Sequence, residues 1–279
     1  MKILLTGATG FVGSQVLGRL LERGHEVRVV VRESTNRILT LPSQQVERFE
    51  VCDLFTAEHG ELRKMLSGVD LVIHTAWSVS SPDYLSSADN FKCLYGSIRL
   101  GQAFAELGGR RFIGIGTCFE YDLTDGEISS ATPLKPTTTY GICKAALFHS
   151  LSLLFAANST EFLWCRLFYL YGVGDRPSRL VPYIRDRISA GQPALLGSGE
   201  QVRDYLDVQV AANLIVEESL GIARGEKNIC SGAPISVREL AERIADEYQR
   251  RDLLVFGARK DSPLDPPVVV CRADSGRGS

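Results

Sequence analysis

The chain opens M-K-I-L-L-T-G-A-T-G-F-V-G, and this stretch limits the possible folds more than any other. Ile3, Leu4 and Leu5 are apolar without alternation, which is the pattern of a strand covered on both faces, so Lys2–Thr6 is read as a buried parallel strand. From Phe11 to about Arg23, Val12, Val16, Leu17, Leu20 and Leu21 recur at helical spacing, and Gly24 closes the helix. Between strand and helix, Gly7, Gly10 and Gly13 form G-x-x-G-x-x-G. The first glycine permits a tight turn, the second lets backbone approach a pyrophosphate, and the third lets helix pack on strand. The helix start then offers unpaired N–H groups and a positive dipole end to phosphates.

The alternation continues. Val27–Val31, Val46–Val51, Leu71–His74, Arg111–Ile115 and Phe162–Arg166 read as strands, separated by helices near Leu62–Leu66, Ala88–Leu107 and Tyr140–Ala157. Strand and helix alternating over more than 150 residues imply an α/β fold, a Rossmann-type doubly wound parallel sheet. After Gly172 the pattern breaks into short helices (about Leu180–Ala190, Val208–Ala223, Val237–Tyr248) and short strands (Pro193–Leu196, Asn228–Cys230, Leu253–Phe256). The expected organisation is a dinucleotide-binding domain over 1–172, with parts of 200–230 returning to it. A small mixed α/β C-terminal substrate lobe follows over 173–270, and then a polar, frayed tail from Cys271 to Ser279.

Composition removes several classes of function. The 279 residues carry a net charge of −2 and a pI near 6.1, giving no basic surface for nucleic acid or membrane. Four scattered histidines form no metal-binding spacing, so no metal is expected. The seven cysteines include no C-x-x-C and sit mostly in apolar runs, which reads as buried reduced thiols rather than disulfides. Ile3–Leu5 is too short for a secretory signal, and no run approaches the roughly 20 apolar residues that cross a bilayer. The cytoplasm is the expected location.

Two further features point to chemistry. The second strand ends R-V-V-V-R-E, with Val31 where an acidic ligand for the ribose of NAD would stand and Arg32 next to it. An arginine there suits a 2′-phosphate, so NADP(H) is favoured and NAD(H) is the alternative, with Glu33 the ribose ligand if the register shifts by one residue. Asp53, after the third strand, suits either the adenine amino group or a plain helix N-cap. Tyr140 and Lys144 stand at i and i+4 on one helix face. A free tyrosine titrates near 10, and an adjacent ammonium together with the positive nicotinamide of a bound coenzyme is expected to lower it by roughly 1–3 units, toward the range of efficient general acid–base catalysis. Thr117, at the C-terminal end of the fifth strand, is placed to hold a substrate oxygen.

T-G-A-T-G-F-V-G at the start, H-T-A-W (74–77), G-I-G-T-C-F-E-Y (114–121), Y-G-I-C-K (140–144), R-L-F-Y-L-Y-G (166–172) and R-D-Y-L-D-V (203–208) occur in order. With them the chain resembles the extended short-chain dehydrogenase/reductases, in the NAD-dependent epimerase/dehydratase family that acts on nucleotide sugars. The likeness covers about residues 1–256. It implies catalysis by Thr117, Tyr140 and Lys144, with both Tyr140 and Lys144 also touching the coenzyme. It implies coenzyme contacts at Gly7, Thr9, Gly10, Phe11, Val12, Gly13, Arg32, Asp53, Leu54, Ala76 and Phe168. Substrate contacts are implied at Trp77, Thr117, Phe119, Tyr169 and Arg203, the arginine gripping the diphosphate of a nucleotide-diphosphate sugar unless it is held in a structural salt bridge to Asp204 or Asp207.

Departures from the family pattern narrow the reaction. Sugar-nucleotide 4,6-dehydratases carry Asp-Glu after the catalytic threonine, whereas Cys118 and Phe119 stand here, so dehydration is not expected. Tyr169 replaces an asparagine, and Trp77 replaces a small residue. The resemblance then implies an NAD(P)-dependent oxidoreductase of deoxysugar biosynthesis that reduces a 4-keto-6-deoxyhexose at C4, with Tyr140 as general acid. The alternative is a nucleotide-sugar 4-epimerase with tightly bound NAD. A non-catalytic dinucleotide sensor would have no use for an intact Thr–Tyr–Lys set. The apolar faces of the helices at 88–107 and 140–157 suggest a homodimer.

Overall fold

The computed structural model describes residues 1–32, 45–79, 81–261 and 265–272. These divide into two compact units. The first comprises Met1–Tyr121, Leu134–Leu167 and Ala212–Ile229, and the second Asp122–Pro133, Phe168–Ala211 and the residues from Cys230 on.

The first unit is built on a sheet of seven parallel strands: β1 (Ile3–Thr6), β2 (Val27–Arg32), β3 (Val46–Val51), β4 (Leu71–His74), β5 (Arg111–Thr117), β7 (Glu161–Leu167) and β11 (Gly225–Ile229). Their order across the sheet is β11-β7-β5-β4-β1-β2-β3. This is the doubly wound arrangement expected. The order reverses between β1 and β4, which marks where ligands bind at the carboxyl ends of such sheets. β1 and β4 are fully buried, which is why Ile3–Leu5 and Leu71–Ile73 read as unbroken apolar runs.

Helices α1 (Phe11–Glu22), α2 (His59–Leu66), α3 (Asp89–Glu106), α4 (Thr139–Ala157) and α6 (Val208–Leu220) accompany the sheet. α3 packs on α4, and Phe104, Leu147, Leu151 and Phe155 join Phe112, Phe162 and Trp164 in one core. α4 corrects one expectation. It is long and apolar enough, by length and composition, to cross a membrane. Only one charge, Lys144, lies within it, and one side of the helix, with Leu147, Leu151 and Phe155, builds the core against β5, β7 and α3.

The second unit holds β6 (Glu127–Ile128), β8 (Tyr169–Tyr171), β10 (Val202–Asp207), β12 (Pro234–Ser236) and β14 (Val268–Cys271) in one mixed sheet, and β9 (Ala194–Leu195) with β13 (Leu254–Val255) in a second. Helices α5 (Leu180–Ser189) and α7 (Val237–Glu247) close a separate core around Ile184, Ile188, Ala241 and Ile244. The unit reaches further back along the chain than a boundary at 172, because β8 pairs with β10 and β6 pairs with β14. Cys271 and Arg272 are not a frayed end. Cys271 belongs to β14, and the Arg272 amide donates to the Ile128 carbonyl at 2.7 Å; residues 273–279 lie outside those described. The cysteines also depart in part from expectation. Cys230 and Cys271, 41 residues apart, form a disulfide, while Cys52, Cys93, Cys118, Cys143 and Cys165 are free. A pairing this distant follows from strand placement, which no cysteine spacing announces.

Candidate active site

The glycine turn is shaped by contact as much as by conformation. Gly7 has φ +73°, a backbone state that L side chains rarely adopt. A Cβ on Gly13 would stand 2.1 Å from the Gly7 carbonyl oxygen, so helix and turn touch without any side chain between them. α1 has no side-chain cap and no acidic residue in its first turn, which leaves its N–H end to an external anion. These residues fit the pyrophosphate of a dinucleotide. Beside the turn, Thr75 Oγ1 donates to the Thr6 carbonyl at 2.7 Å, and the Ala76 amide donates to Thr6 Oγ1 at 3.3 Å, tying the ends of β1 and β4 together. His74 bridges Thr6 Oγ1 (2.7 Å) and Ser97 Oγ (2.8 Å), and burial pushes its pKa down to about 3, so it is a neutral strut.

At the end of β2, Arg32 is exposed and opposite Val51 in register, close enough to Asp53 to act on its charge. Glu33 lies outside the described residues. The carboxylate of Asp53 is engaged at both oxygens: Oδ1 accepts from the Phe55 amide at 2.9 Å, and Oδ2 pairs with Lys92 at 2.5 Å. Burial opposes ionisation of Asp53, yet Lys92 and that amide outweigh it and hold the carboxyl below its usual range. Leu54 is buried beneath this turn.

Thr117, Tyr140 and Lys144 come together. Thr117 ends β5 and caps the 3₁₀ turn Cys118–Glu120, its hydroxyl accepting from the Phe119 amide at 3.3 Å. Thr138 caps α4 by accepting from the Gly141 amide at 3.0 Å. A Cβ on Gly141 would lie 2.3 Å from the Phe119 carbonyl oxygen, so the start of α4 sits directly on the turn after Thr117. That approach brings the half-buried Tyr140 to the Thr117 side chain, close enough for Thr117 to act on its phenol. One turn on, the buried Lys144 donates from Nζ to the Ile115 carbonyl at 2.7 Å. Trp77 covers it: the ammonium lies 3.8 Å from the indole centroid, and Trp77 Nε1 donates to Asn90 Oδ1 at 2.7 Å. The indole expected to meet substrate is thus engaged with Lys144 and Asn90.

One electrostatic expectation is reversed in the protein alone. Burial drives the Tyr140 phenol well above its ordinary value, while burial also pushes Lys144 down to about 7 against the pull of Glu120 and Cys93. Desolvation is the largest cause for each group, and Nζ, 6.0 Å from the Tyr140 ring centroid, is hydrogen-bonded to backbone. At neutral pH Tyr140 is therefore a firmly protonated donor.

Phe119 is half-buried beside Thr117 in the first unit, whereas Phe168, Tyr169 and Arg203 belong to the second. Arg203 is only 1% exposed. Its Nη1 donates to Val202 O (2.8 Å) and Pro267 O (3.2 Å), and its Nη2 to Asp265 Oδ1 (2.7 Å) and Pro266 O. The guanidinium also lies over the Tyr169 ring at 5.1 Å. The salt bridge runs to Asp265 rather than to Asp204 or Asp207. Asp204 instead accepts from the amides of Ser231 and Gly232, and Asp207 from the Gln209 amide. Among the described residues no cluster could hold a metal ion. The reading from sequence passed over Glu120 and Arg166, a charged pair buried under the site; the signal was a carboxylate three residues after Thr117 and an arginine following the apolar run Phe162–Cys165 of β7.

The model of the NAD dependent epimerase/dehydratase family matches residues 3–218. The chain is similar to the dTDP-6-deoxy-L-talose 4-dehydrogenase (NAD(+)) of Aggregatibacter actinomycetemcomitans, 26% identical over 260 residues that cover 89% of this chain and 91% of that one. It is equally 26% identical to the UDP-glucose 4-epimerase of Streptomyces lividans, over 99% of this chain and 89% of that one. The structure of UDP-glucose 4-epimerase from Thermus thermophilus in complex with NAD superposes with a TM-score of 0.84 at 23% identity, covering 97% of this chain and 90% of that one. A family match over residues 3–218, a span that includes the glycine turn and the Thr117–Tyr140–Lys144 corner, places this protein in the NAD dependent epimerase/dehydratase family of extended short-chain dehydrogenase/reductases.

Proposed function

We propose that the protein is an NAD(P)-dependent 4-ketoreductase of a nucleotide-linked 4-keto-6-deoxyhexose. The observation that carries this reading is the convergence of Tyr140 and Thr117 at a corner that has Cys118 and Phe119 where a dehydratase would need an acid and a base. The likeness to a dTDP-6-deoxy-L-talose 4-dehydrogenase over nearly its full length supports it. When bound, the reduced nicotinamide supplies a hydride. The Thr117 hydroxyl holds the carbonyl oxygen of the sugar, and Tyr140 donates its phenolic proton to that oxygen as charge develops there. Its raised pKa keeps the proton in place until then. Lys144, one turn along α4, offsets the negative charge left on the phenol. The amide groups at the start of α1 and the turn at Gly7–Gly13 hold the pyrophosphate. Arg32, exposed at the end of β2, favours NADP(H) over NAD(H).

The epimerase reading uses the same three residues, and a UDP-glucose 4-epimerase is as similar in sequence as the dehydrogenase. One assay separates them. Purified protein is given NADPH or NADH with dTDP-, CDP- or GDP-linked 4-keto-6-deoxyhexoses, and loss of reduced coenzyme is followed. Oxidation is expected, faster with NADPH. No oxidation with any of these sugars, together with interconversion of UDP-hexoses by protein that carries its own bound NAD, would establish the epimerase instead.

A homodimer completes the proposal. α3 and α4 lie side by side and present Phe91, Tyr95, Ile142 and Leu153 to solvent, Leu153 being 76% exposed. Sedimentation velocity is expected to give twice the 30.6 kDa chain mass, and Leu153→Glu is expected to give monomer. Monomer for the unaltered protein would remove this part.

A further inference from the structure

Beneath the corner, the glycines of β5 open a slot. Gly114 faces Trp164 across the β5–β7 register, and Gly116 faces Arg166. A Cβ on Gly114 would fall 2.3 Å from the Trp164 ring, and one on Gly116 would fall 2.2 Å from its Nε1 and 2.4 Å from Glu120 Oε1. The indole therefore lies flat over two side-chain-free positions, and the Glu120 carboxylate reaches in over the second. Glu120 is fully buried. Its Oε1 accepts from the Thr117 amide at 2.8 Å, both its oxygens accept from Trp164 Nε1 (3.1 and 3.0 Å), and Oε2 accepts from Arg166 Nε at 2.7 Å. Arg166 Nη1 continues to the Tyr121 hydroxyl at 3.1 Å, which donates to Asn228 Oδ1 at 2.8 Å.

Every one of these partners donates an N–H to Glu120, and none accepts. Burial pushes the Glu120 carboxyl above its usual range, and Arg166, the Thr117 amide and Trp164 oppose that shift; a protonated carboxyl would have no acceptor for its proton, so the hydrogen bonds of this seat favour the ionised form. The Lys144 ammonium lies 5.9 Å from the same Trp164 ring. We infer that Glu120 is a positioning residue for the catalytic corner: it fixes the backbone of Thr117 by a buried hydrogen bond and supplies the negative charge that holds Lys144 as an ammonium beside Tyr140. This rests on the reading of Lys144 as the partner of Tyr140.

The groups around Lys144 allow few rivals for the role. Trp77 offers a neutral indole, His74 on β4 is neutral, Tyr140 on its own helix is protonated, and the Cys93 thiol on α3 is pushed up to about 11 by burial. Arg166 on β7 carries a positive charge, which is engaged by Glu120. Glu120 is the largest influence raising Lys144 toward its charged form.

The test is a titration of the Lys144 side chain by NMR on protein labelled with ¹³C-lysine, with no coenzyme or substrate present. Its resonance is assigned by its loss in Lys144→Arg. In Glu120→Gln the midpoint is expected to fall by about one pH unit, the size expected on removing a close opposite charge. The double variant Glu120→Gln with Arg166→Leu does not leave the Arg166 guanidinium buried without its carboxylate, and is expected to fold and to show a fall in the same direction. Glu120→Asp, which keeps the charge, is expected to stay within a few tenths of the unaltered protein. A midpoint that stays put in the glutamine variant or the double variant, in protein shown to be folded by circular dichroism, would overturn the inference. Because the readout needs no turnover, a failed sugar-reduction assay would leave this result standing, and the reverse also holds.

Discussion

Replacing Tyr140 by Phe is expected to lower kcat by about 10²- to 10⁴-fold, the usual contribution of a positioned general acid, while coenzyme affinity changes little. The loss follows from geometry. Tyr140 carries the hydroxyl beside Thr117, and phenylalanine keeps the ring contacts with Tyr84 and Trp77 while removing only the proton donor. The stability cost is small, about 1 kcal/mol for one hydrogen bond. Coenzyme titration by fluorescence, beside single-turnover rates, separates the two effects. Unchanged turnover in this variant would mean that another group protonates the substrate. The pH dependence follows the same logic. With the phenol held well above its ordinary value by burial, loss of activity on the alkaline side is assigned to Lys144, whose ammonium is given up as pH rises through about 7 in the protein alone.

Gly13→Ala is the second large effect. Its new methyl group would meet the Gly7 carbonyl oxygen at 2.1 Å and the Gly7 carbonyl carbon at 2.7 Å, both backbone atoms that cannot rotate away. The turn must open, and the strain, about 1–3 kcal/mol for an overpacked site, falls on the surface that would hold the pyrophosphate. Coenzyme binding is expected to weaken by about 10- to 100-fold, with a lower melting temperature. Gly18→Ala on the same helix is the control, because a Cβ there meets nothing within 4 Å. It is expected to raise stability by about 0.5–1 kcal/mol through helix propensity alone and to leave binding as it was. Calorimetry on the pair reads both quantities. Equal behaviour of the two alanines would refute the close contact between turn and helix.

The elements of the first unit were legible because their signals are local. Unbroken apolar runs such as Leu71–Ile73 mark strands buried on both faces, and glycines mark where a strand meets a turn. The second unit was less so. β6 has two residues and β8 three, too short for any periodicity to register, and both exist because β14 and β10 lie beside them. Tyr140 and Lys144 were legible from spacing, since i and i+4 share a helix face. Their electrostatics were not, because desolvation is set by Trp77 and Trp164 arriving from elements distant in sequence. Arg203 had the right motif around it, yet its surroundings depend on Asp265–Pro267, more than 60 residues on. Glu120 was hidden for a similar reason: a lone carboxylate in a sequence looks solvated until a strand with two glycines and an opposing tryptophan opens a place for it.

The central claim is that the turn at Gly7–Gly13 and the corner at Thr117, Tyr140 and Lys144 serve one bound dinucleotide. A crystal structure of the protein soaked with NADPH tests it most directly. Pyrophosphate density against the first turn of α1, with the nicotinamide end beside Tyr140 and Lys144, is the predicted result. Coenzyme bound elsewhere, or a nicotinamide ring that cannot come within hydrogen-bonding and transfer distance of that corner, would contradict it.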